Sequence, residues 1–253
     1  MSDVVVQVHG LDFRYGAGQP LALRGLGLEL RAGQRVLLVG ANGAGKTTLL
    51  RVLGGKHMVD REAVRVLGRP AFHDTTLAAD VCFIGGSFPV ELDVRVSEML
   101  AGSGRYAVDP ARQARLIEVL GVDRDWRMHR VSDGQRRRVQ LLLALQRPSK
   151  LLLMDEITTD LDILVRADLL AFLKEECEAR GVTIAYATHI FDGLEDWATD
   201  LAVLEKGWIV RESPLGELEE LAELRNEGMS SPLYRLVERW LRHGVSGSPL
   251  SRG

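Results

Sequence analysis

The sequence predicts an α/β protein in which a largely parallel sheet is interrupted by a block of helices. Residues 36–39 and 151–154 are continuously apolar, which is typical of strands buried on both faces of a parallel sheet. Each run leads, after a loop, into a segment that reads as a helix, 47–53 and 164–180. Helix formers also dominate residues 88–145, between the two runs. Together these observations predict β/α alternation with an inserted helical subdomain.

The N-terminal part alternates strands and turns before the helical block begins. Residues 4–8 and 26–30 alternate apolar and polar side chains, as half-buried strands do. The strand at 36–39 runs into a glycine-rich loop, and Gly54-Gly55 ends the helix that follows. Two further short strands are predicted at 64–67 and 81–84. This order predicts that the glycine-rich loop joins a buried strand to a helix.

The helical block and the C-terminal part follow in the same manner. Helices are predicted at 96–100, 111–120 and 135–145, separated by loops at 102–104 and 121–123. The β/α alternation then resumes with a strand at 151–154 and a helix at 164–180, which ends at Gly181. A strand follows at 183–187, and then a hairpin that pairs 201–204 with 208–210. Further helices are predicted at 213–224 and 232–241. We therefore expect a main domain over 1–212 with 88–145 inserted, a helical extension over 213–243, and a disordered tail over 244–253.

Composition restricts the class of protein. The chain has 253 residues and a net charge of −3, which provides no general attraction to nucleic acid or to anionic membranes. Its two cysteines, Cys82 and Cys177, form no disulfide framework and are expected to pack in the core. No apolar run approaches the roughly 18 residues that a membrane helix needs, and no signal peptide is evident. We expect a soluble cytoplasmic protein, with a nuclear location as well if it acts in transcription.

A phosphate-binding loop is the first functional motif. Its pattern, G-x-x-x-x-G-K-[ST], follows a predicted buried strand and opens a helix. Backbone N–H groups of such a loop converge on phosphate oxygens, and the helix N-terminus adds positive potential. Lys46 would contact the terminal phosphates, and the Thr47 hydroxyl would ligate Mg²⁺. The predicted nucleotide-binding residues of the loop are Gly40, Ala41, Asn42, Gly43, Ala44, Gly45, Lys46, Thr47 and Thr48.

Three further motifs narrow the class of nucleotide-binding protein. Ser132-Asp133-Gly134-Gln135-Arg136 lies between the phosphate loop and the strand that ends in Asp155-Glu156, and His189 follows a later apolar strand. With these motifs in this order, the chain resembles the nucleotide-binding domains of the ATP-binding-cassette (ABC) family over about residues 4–211. The resemblance implies a P-loop ABC ATPase fold with an antiparallel β subdomain. It also implies hydrolysis of ATP to ADP and phosphate, with Mg²⁺ as cofactor.

The resemblance assigns roles to single residues at the nucleotide site. Glu156 is the expected general base for the attacking water, and Asp155 is the expected partner of Mg²⁺ through water. His189 corresponds to the switch histidine that contacts the γ-phosphate. Tyr15 corresponds to the aromatic residue that stacks on adenine, although core packing is an alternative for this ring. Without the other motifs, an Asp-Glu pair after a strand would be interpreted only as the solvated end of that strand.

The resemblance also implies a dimer. In the family, the serine and glycine that match Ser132 and Gly134 cap the γ-phosphate bound by a partner subunit, so two ATP molecules lie in a head-to-tail interface. Four residues, Thr159, Asp160, Leu161 and Asp162, match the loop that crosses that interface. We refer to 132–136 as the signature segment and to 159–162 as the dimer loop. The partner could be a second copy or another ABC domain.

The sequence departs from transporter members of the family at two positions. Asp133 replaces a glycine, and its carboxylate should repel a partner's γ-phosphate unless it turns away or pairs with Arg136, Arg137 or Arg138. In the family, a glutamine follows the strand that matches 81–84, where it touches Mg²⁺ and signals to a membrane subunit. That glutamine is missing from this chain. Residues 85–87 read Gly-Gly-Ser, and no glutamine occurs between residues 34 and 113.

These departures leave three functions to be compared. Residues 125–140 and 186–194 resemble the non-intrinsic I subfamily, which includes an ATPase associated with the carbon-catabolite-repression–Not transcription-regulatory complex. This favours an ATPase whose dimer switch acts on protein partners. The alternative is the ATP-hydrolysing subunit of a transporter with a separately encoded permease. The third possible function is a nucleotide-dependent binding module with little turnover, because Asp133 and the missing glutamine could slow catalysis.

Overall fold

The computed structural model describes residues 3–86, 88, 92–102 and 108–245. Its ten strands are β1 (Val4–Phe13), β2 (Leu23–Arg31), β3 (Arg35–Val39), β4 (Val64–Val66), β5 (Arg69–Pro70), β6 (Val81–Gly85), β7 (Leu151–Asp155), β8 (Thr183–Ala187), β9 (Asp200–Glu205) and β10 (Trp208–Pro214) among these residues. The α-helices in the same ranges are α1 (Lys46–Leu53), α2 (Val96–Gly102), α3 (Pro110–Val119), α4 (Asp133–Leu145), α5 (Ile163–Arg180), α6 (Glu219–Asn226) and α7 (Pro232–His243).

A six-stranded sheet organises the molecule, in the order β10-β9-β3-β8-β7-β6. Neighbouring strands are parallel except for the β9–β10 pair, which is an antiparallel hairpin. A second, antiparallel sheet has the order β2-β1-β4-β5. The predicted fold class, an α/β P-loop protein with an antiparallel subdomain and a helical block, is therefore confirmed.

The central sheet is buried on both faces because alternate side chains of each strand enter different cores. Leu37 and Val39 of β3 pack in a core shared with α2–α5 and α7, whereas Val36 and Leu38 pack in a core shared with α1 and the antiparallel sheet. Side chains of β3 and β8 are buried at every position. This two-sided burial explains why these strands are continuously apolar in sequence.

The helical block follows β6 and precedes β7 in the chain. Its helix α3 is joined to α5 by an ion pair between Arg112 and Glu176 with a 2.8 Å separation, and both side chains are about nine-tenths buried. Arg112 also donates a hydrogen bond to the Leu145 carbonyl at the end of α4. The predicted domain boundaries remain proposals, and the boundary at 212 falls inside β10.

The predicted helix over 213–224 is partly wrong. Ser213 and Pro214 instead complete β10, where they pair with Leu201 and Asp200 of β9. A proline is compatible with this position because β10 is an edge strand and needs no further N–H donor. A short 3₁₀ turn follows before α6 begins at Glu219. Part of the predicted loop at 102–104, Ser87, and the predicted tail beyond residue 245 lie outside the described residues.

Both cysteines lie in apolar surroundings. Cys177 is buried and Cys82 is half-buried, and burial raises the pKa of each thiol to about 11. Neither thiol therefore carries the depressed pKa of a reactive cysteine. Among the residues that the structure describes, none of the helices combines the length and apolar character needed to cross a membrane.

Candidate functional site

The phosphate loop joins the end of β3 to the start of α1, as its position in the sequence requires. It is attached to the β9–β10 turn, because the Gly207 N–H donates to the Ala44 carbonyl at 2.9 Å. A cavity of about 450 Å³ opens beside the loop. Its lining residues are Tyr15, Ala22, Asn42, Gly43, Ala44, Gly45, Lys46, Thr47, Thr48, Asp155 and Glu156.

Lys46 is the cation of this cavity. Its ammonium group donates to the Gly40 carbonyl at 2.6 Å and to the Ala41 carbonyl at 3.2 Å, so it lies across the loop. Burial lowers the pKa of Lys46, while the carboxylates of Glu156 and Asp155 act in the opposite direction. A half-buried ammonium close to loop N–H groups gives the cavity the positive potential that a polyphosphate requires.

Asp155 ends β7, directly across from the start of α1. The Thr47 hydroxyl donates to its Oδ1 at 3.1 Å. Burial raises the pKa of Asp155, and the neighbouring Glu156 carboxylate adds to this effect. A hydroxyl beside a partly desolvated carboxylate is a hard oxygen donor set, which suits Mg²⁺ held together with phosphate oxygens. The structure therefore brings together the two residues predicted to hold the metal.

Glu156 and His189 are adjacent because β7 and β8 are parallel neighbours that end at the same edge of the sheet. The two side chains meet with 2.9 Å between His189 Nδ1 and Glu156 Oε1, and the His189 N–H donates to Glu156 Oε2 at 3.4 Å. Glu156 has φ of 51°, a left-handed conformation that is costly for a residue with a side chain. Its N–H donates to the Ala187 carbonyl, which holds this turn in place.

Tyr15 lies at the rim of the cavity rather than in a core. Its side chain is 52% exposed, and its hydroxyl is 2.8 Å from the Thr48 hydroxyl. The ring makes edge contacts with Phe13 and with His57, whose centroids lie 5.2 and 5.3 Å away. The arrangement leaves ring surface free at the cavity and does not favour the core-packing alternative. Sequence reasoning missed His57, since no local pattern connects it to Tyr15.

The signature segment does not line the cavity of its own chain. Ser132 caps α4: its hydroxyl accepts from the Gln135 N–H at 3.3 Å, and Gln135 Oε1 accepts from the Ser132 N–H at 2.9 Å. Ser132 and Asp133 are exposed at this helix start. The structure therefore does not place these residues against the phosphate loop of the same chain.

The dimer loop is fixed to the start of α4. Asp162 caps α5 by accepting from the Leu164 and Val165 N–H groups, and it forms an ion pair with Arg138. Arg137 lies 3.5 Å from the Asp160 carboxylate. Of the three arginines considered as partners of Asp133, Arg137 and Arg138 contact the dimer loop instead, through Asp160 and Asp162.

The end of β6, where the family's glutamine is missing, lies against Asp155. Gly85 ends β6 and pairs with Asp155, and a Cβ added at Gly85 would lie 2.7 Å from the Asp155 Cβ. No side chain fits there without displacing the predicted metal ligand. The next residue, Gly86, offers its carbonyl to Arg137 Nη1 at 2.9 Å. Sequence reasoning showed that the glutamine is absent but missed this contact.

Comparisons with known proteins identify the family and the fold. The family model described as "ABC transporter" matches residues 23–159. ABC transporter I family member 20 of Arabidopsis thaliana is 46% identical, with 94% of this chain and 76% of that protein covered. CCR4-associated factor 16 of Saccharomyces cerevisiae is 37% identical over 83% of this chain and 78% of that protein. An ATP-binding subunit of an ABC transporter has the same fold, with a TM-score of 0.74, 23% identity and coverage of 92% and 99%.

Proposed function

The chain belongs to the ABC transporter family, and we propose that it is an ATPase that binds Mg-ATP in a head-to-tail dimer and uses this dimer to regulate protein partners. One observation carries the proposal. Lys46, Asp155 and Glu156 line a cavity, whereas the signature segment is not part of its lining and lies on an exposed helix start. Each chain would thus hold two separate parts of an ATP site, and a second chain would be needed to unite them.

The cavity supplies the groups needed to bind a nucleoside triphosphate. N–H groups of the loop and the Lys46 ammonium would neutralise the phosphates, and Tyr15 would stack on the base. Thr47 and Asp155 would hold Mg²⁺, which draws charge from the phosphate oxygens when bound. These assignments rest on the contacts around the cavity.

Hydrolysis requires a base for the attacking water, and Glu156 is the candidate. Its carboxylate lies in the cavity wall next to Asp155, and the 2.9 Å contact with His189 fixes its direction. Glu156 would accept the proton of the water as it attacks the γ-phosphate. His189 would hold Glu156 and reach the γ-phosphate itself.

The partner chain would complete the site through its signature segment. The capping box at Ser132 gives α4 a well-formed N-terminus, and such a terminus attracts phosphate. ATP would then act as a bridge between two chains, and hydrolysis would release it. The geometry is compatible with a homodimer and with a dimer of two different ABC domains.

Regulation, rather than transport, is favoured by the loop after β6. Residues 85–87 contain no glutamine, so the family's usual link to a membrane subunit is missing. The yeast relative is named as a factor associated with CCR4. We therefore propose that the dimer acts on a protein complex of the transcription-regulatory kind.

The test is the mass of the Glu156→Gln variant, measured by size-exclusion chromatography with light scattering, with and without Mg-ATP. Blocked hydrolysis should trap an ATP-dependent dimer. The Glu156→Gln/Lys46→Ala double variant should stay monomeric, because it lacks the phosphate-binding cation. A Glu156→Gln chain that binds ATP but stays monomeric would contradict homodimerisation and assign the second half-site to a different protein. Wild-type protein without ATP turnover would contradict the enzymatic proposal.

A further inference from the structure

We propose that Arg137 is a positioning residue that couples the loop after β6 to the dimer loop, in the place of the missing glutamine. The inference rests on the proposed ATPase function and concerns how that site is assembled. Arg137 is not among the residues that line the ATP cavity. Its role would be to hold three segments of the chain in one arrangement.

The Arg137 guanidinium touches two other segments and Gln140 of its own helix. Its Nη1 donates to the Gly86 carbonyl at 2.9 Å and to Gln140 Oε1 at 2.7 Å, and its Nη2 lies 3.5 Å from Asp160 Oδ2. The side chain is only 13% exposed. A planar fork can make these contacts together, whereas an ammonium group cannot reproduce their directions.

The first segment begins at Gly86, the residue after β6, which has no side chain. Gly85, the last residue of β6, has none either, and a Cβ there would lie 2.7 Å from the Asp155 Cβ. Gly86 is therefore held through its backbone carbonyl, and the donor comes from α4. A charged hydrogen bond of this kind is stronger than a neutral one.

The second segment, the dimer loop, leads directly to the proposed general base. Asp160 contacts Arg137, and the adjacent Thr159 donates its hydroxyl proton to the Glu156 carbonyl at 3.2 Å. Hydrogen bonds and one peptide link thus run from Gly86 through Arg137 and Asp160 to Glu156. If the signature segment moves when a partner's ATP engages it, this chain of contacts moves the Glu156 turn with it.

A separation between binding and turnover follows. Because Arg137 does not touch the cavity, Arg137→Ala should leave the ATP affinity of a single chain unchanged. The kcat should fall at least about tenfold, since displacement of a positioned group by about 1 Å can reduce the rate about 100-fold. Arg137→Lys should give an intermediate kcat, since it keeps the charge near Asp160 but loses the fork.

The experiment compares Arg137→Ala with Arg65→Ala. Arg65 of β4 is the control, because it also joins a carboxylate, Glu62, and a backbone carbonyl, that of Gly68, and is not among the residues that line the cavity. For each variant, steady-state ATP turnover gives kcat and KM, a fluorescent ATP analogue gives the affinity, and thermal melting reports folding. We expect only Arg137→Ala to lose kcat while keeping affinity, with a melting temperature that is lowered but still well above the assay temperature.

A double-variant cycle with Asp160→Ala provides a second measurement. If Arg137 acts through Asp160, the double variant should lose about as much kcat as Arg137→Ala alone. An Arg137→Ala kcat equal to that of Arg65→Ala would overturn the inference, as would fully additive losses in the cycle. If the wild-type protein has no turnover, the ATPase proposal fails instead, so the two failures are distinguishable.

Discussion

Replacing Gly134 by alanine should impair turnover far more than stability. Gly134 lies in the first turn of α4, where the backbone approaches the dimer loop. A Cβ at this position would lie 2.7 Å from the Asp160 carbonyl oxygen, and an ordinary contact begins at 3.4 Å. The two segments would therefore have to separate by about 0.7 Å, the difference between these distances.

The expected magnitude follows from two opposing effects. Overpacking of this kind costs about 1–3 kcal/mol, while alanine favours a helix over glycine by about 1 kcal/mol. The net loss of about 1 kcal/mol lowers the melting temperature by about 2–4 °C in a chain of this size. Displacement of a positioned group by about 1 Å can reduce the rate about 100-fold, so kcat should fall at least about tenfold.

Thermal melting and steady-state ATP turnover measure the two effects on the same samples. Gly216→Ala is the matched control, since Gly216 has nothing within 4 Å of its added Cβ. That variant should keep both its melting temperature and its kcat. A Gly134→Ala protein with the kcat of Gly216→Ala would refute the reasoning, because it would show that the close approach to Asp160 does not matter for catalysis.

Two further predictions concern carboxylates at the site. Asp133→Gly should raise kcat by up to about fivefold, because like charges about 4 Å apart in water repel by about 1 kcal/mol; an unchanged or lower steady-state rate would reject this repulsion. Asp155→Asn should abolish Mg-ATP turnover yet slightly raise the melting temperature without nucleotide. Burial raises the pKa of Asp155, so its ionisation destabilises the folded state increasingly as the pH rises above the ordinary value of 3.8. Solvent at the strand end limits the gain to about 1 kcal/mol at neutral pH; melting curves that show no gain at pH 7, or an undiminished one at strongly acid pH, would contradict it.

The fold class could be read from the sequence because its signals are local. The continuous apolar runs, the glycine-rich loop and the helix-forming block each depend on residues close together in the chain. The same holds for the phosphate-loop motif, since one loop and one helix turn contain all its donors. The helix predicted over 213–224 was partly wrong for the opposite reason, because Ser213 and Pro214 join β10 through pairing with β9, a partner that local propensity does not reveal.

Contacts between distant segments were decided by the tertiary structure. Nothing in the sequence places Arg137 against the Gly86 carbonyl, 51 positions away, or directs Arg138 to Asp162 instead of Asp133. The sequence also could not show that a side chain at Gly85 would meet the Asp155 Cβ. Hydrogen bonds and close approaches of this kind depend on how the parallel strands and α4 are arranged in space, and that arrangement is set by burial of the two cores rather than by neighbours along the chain.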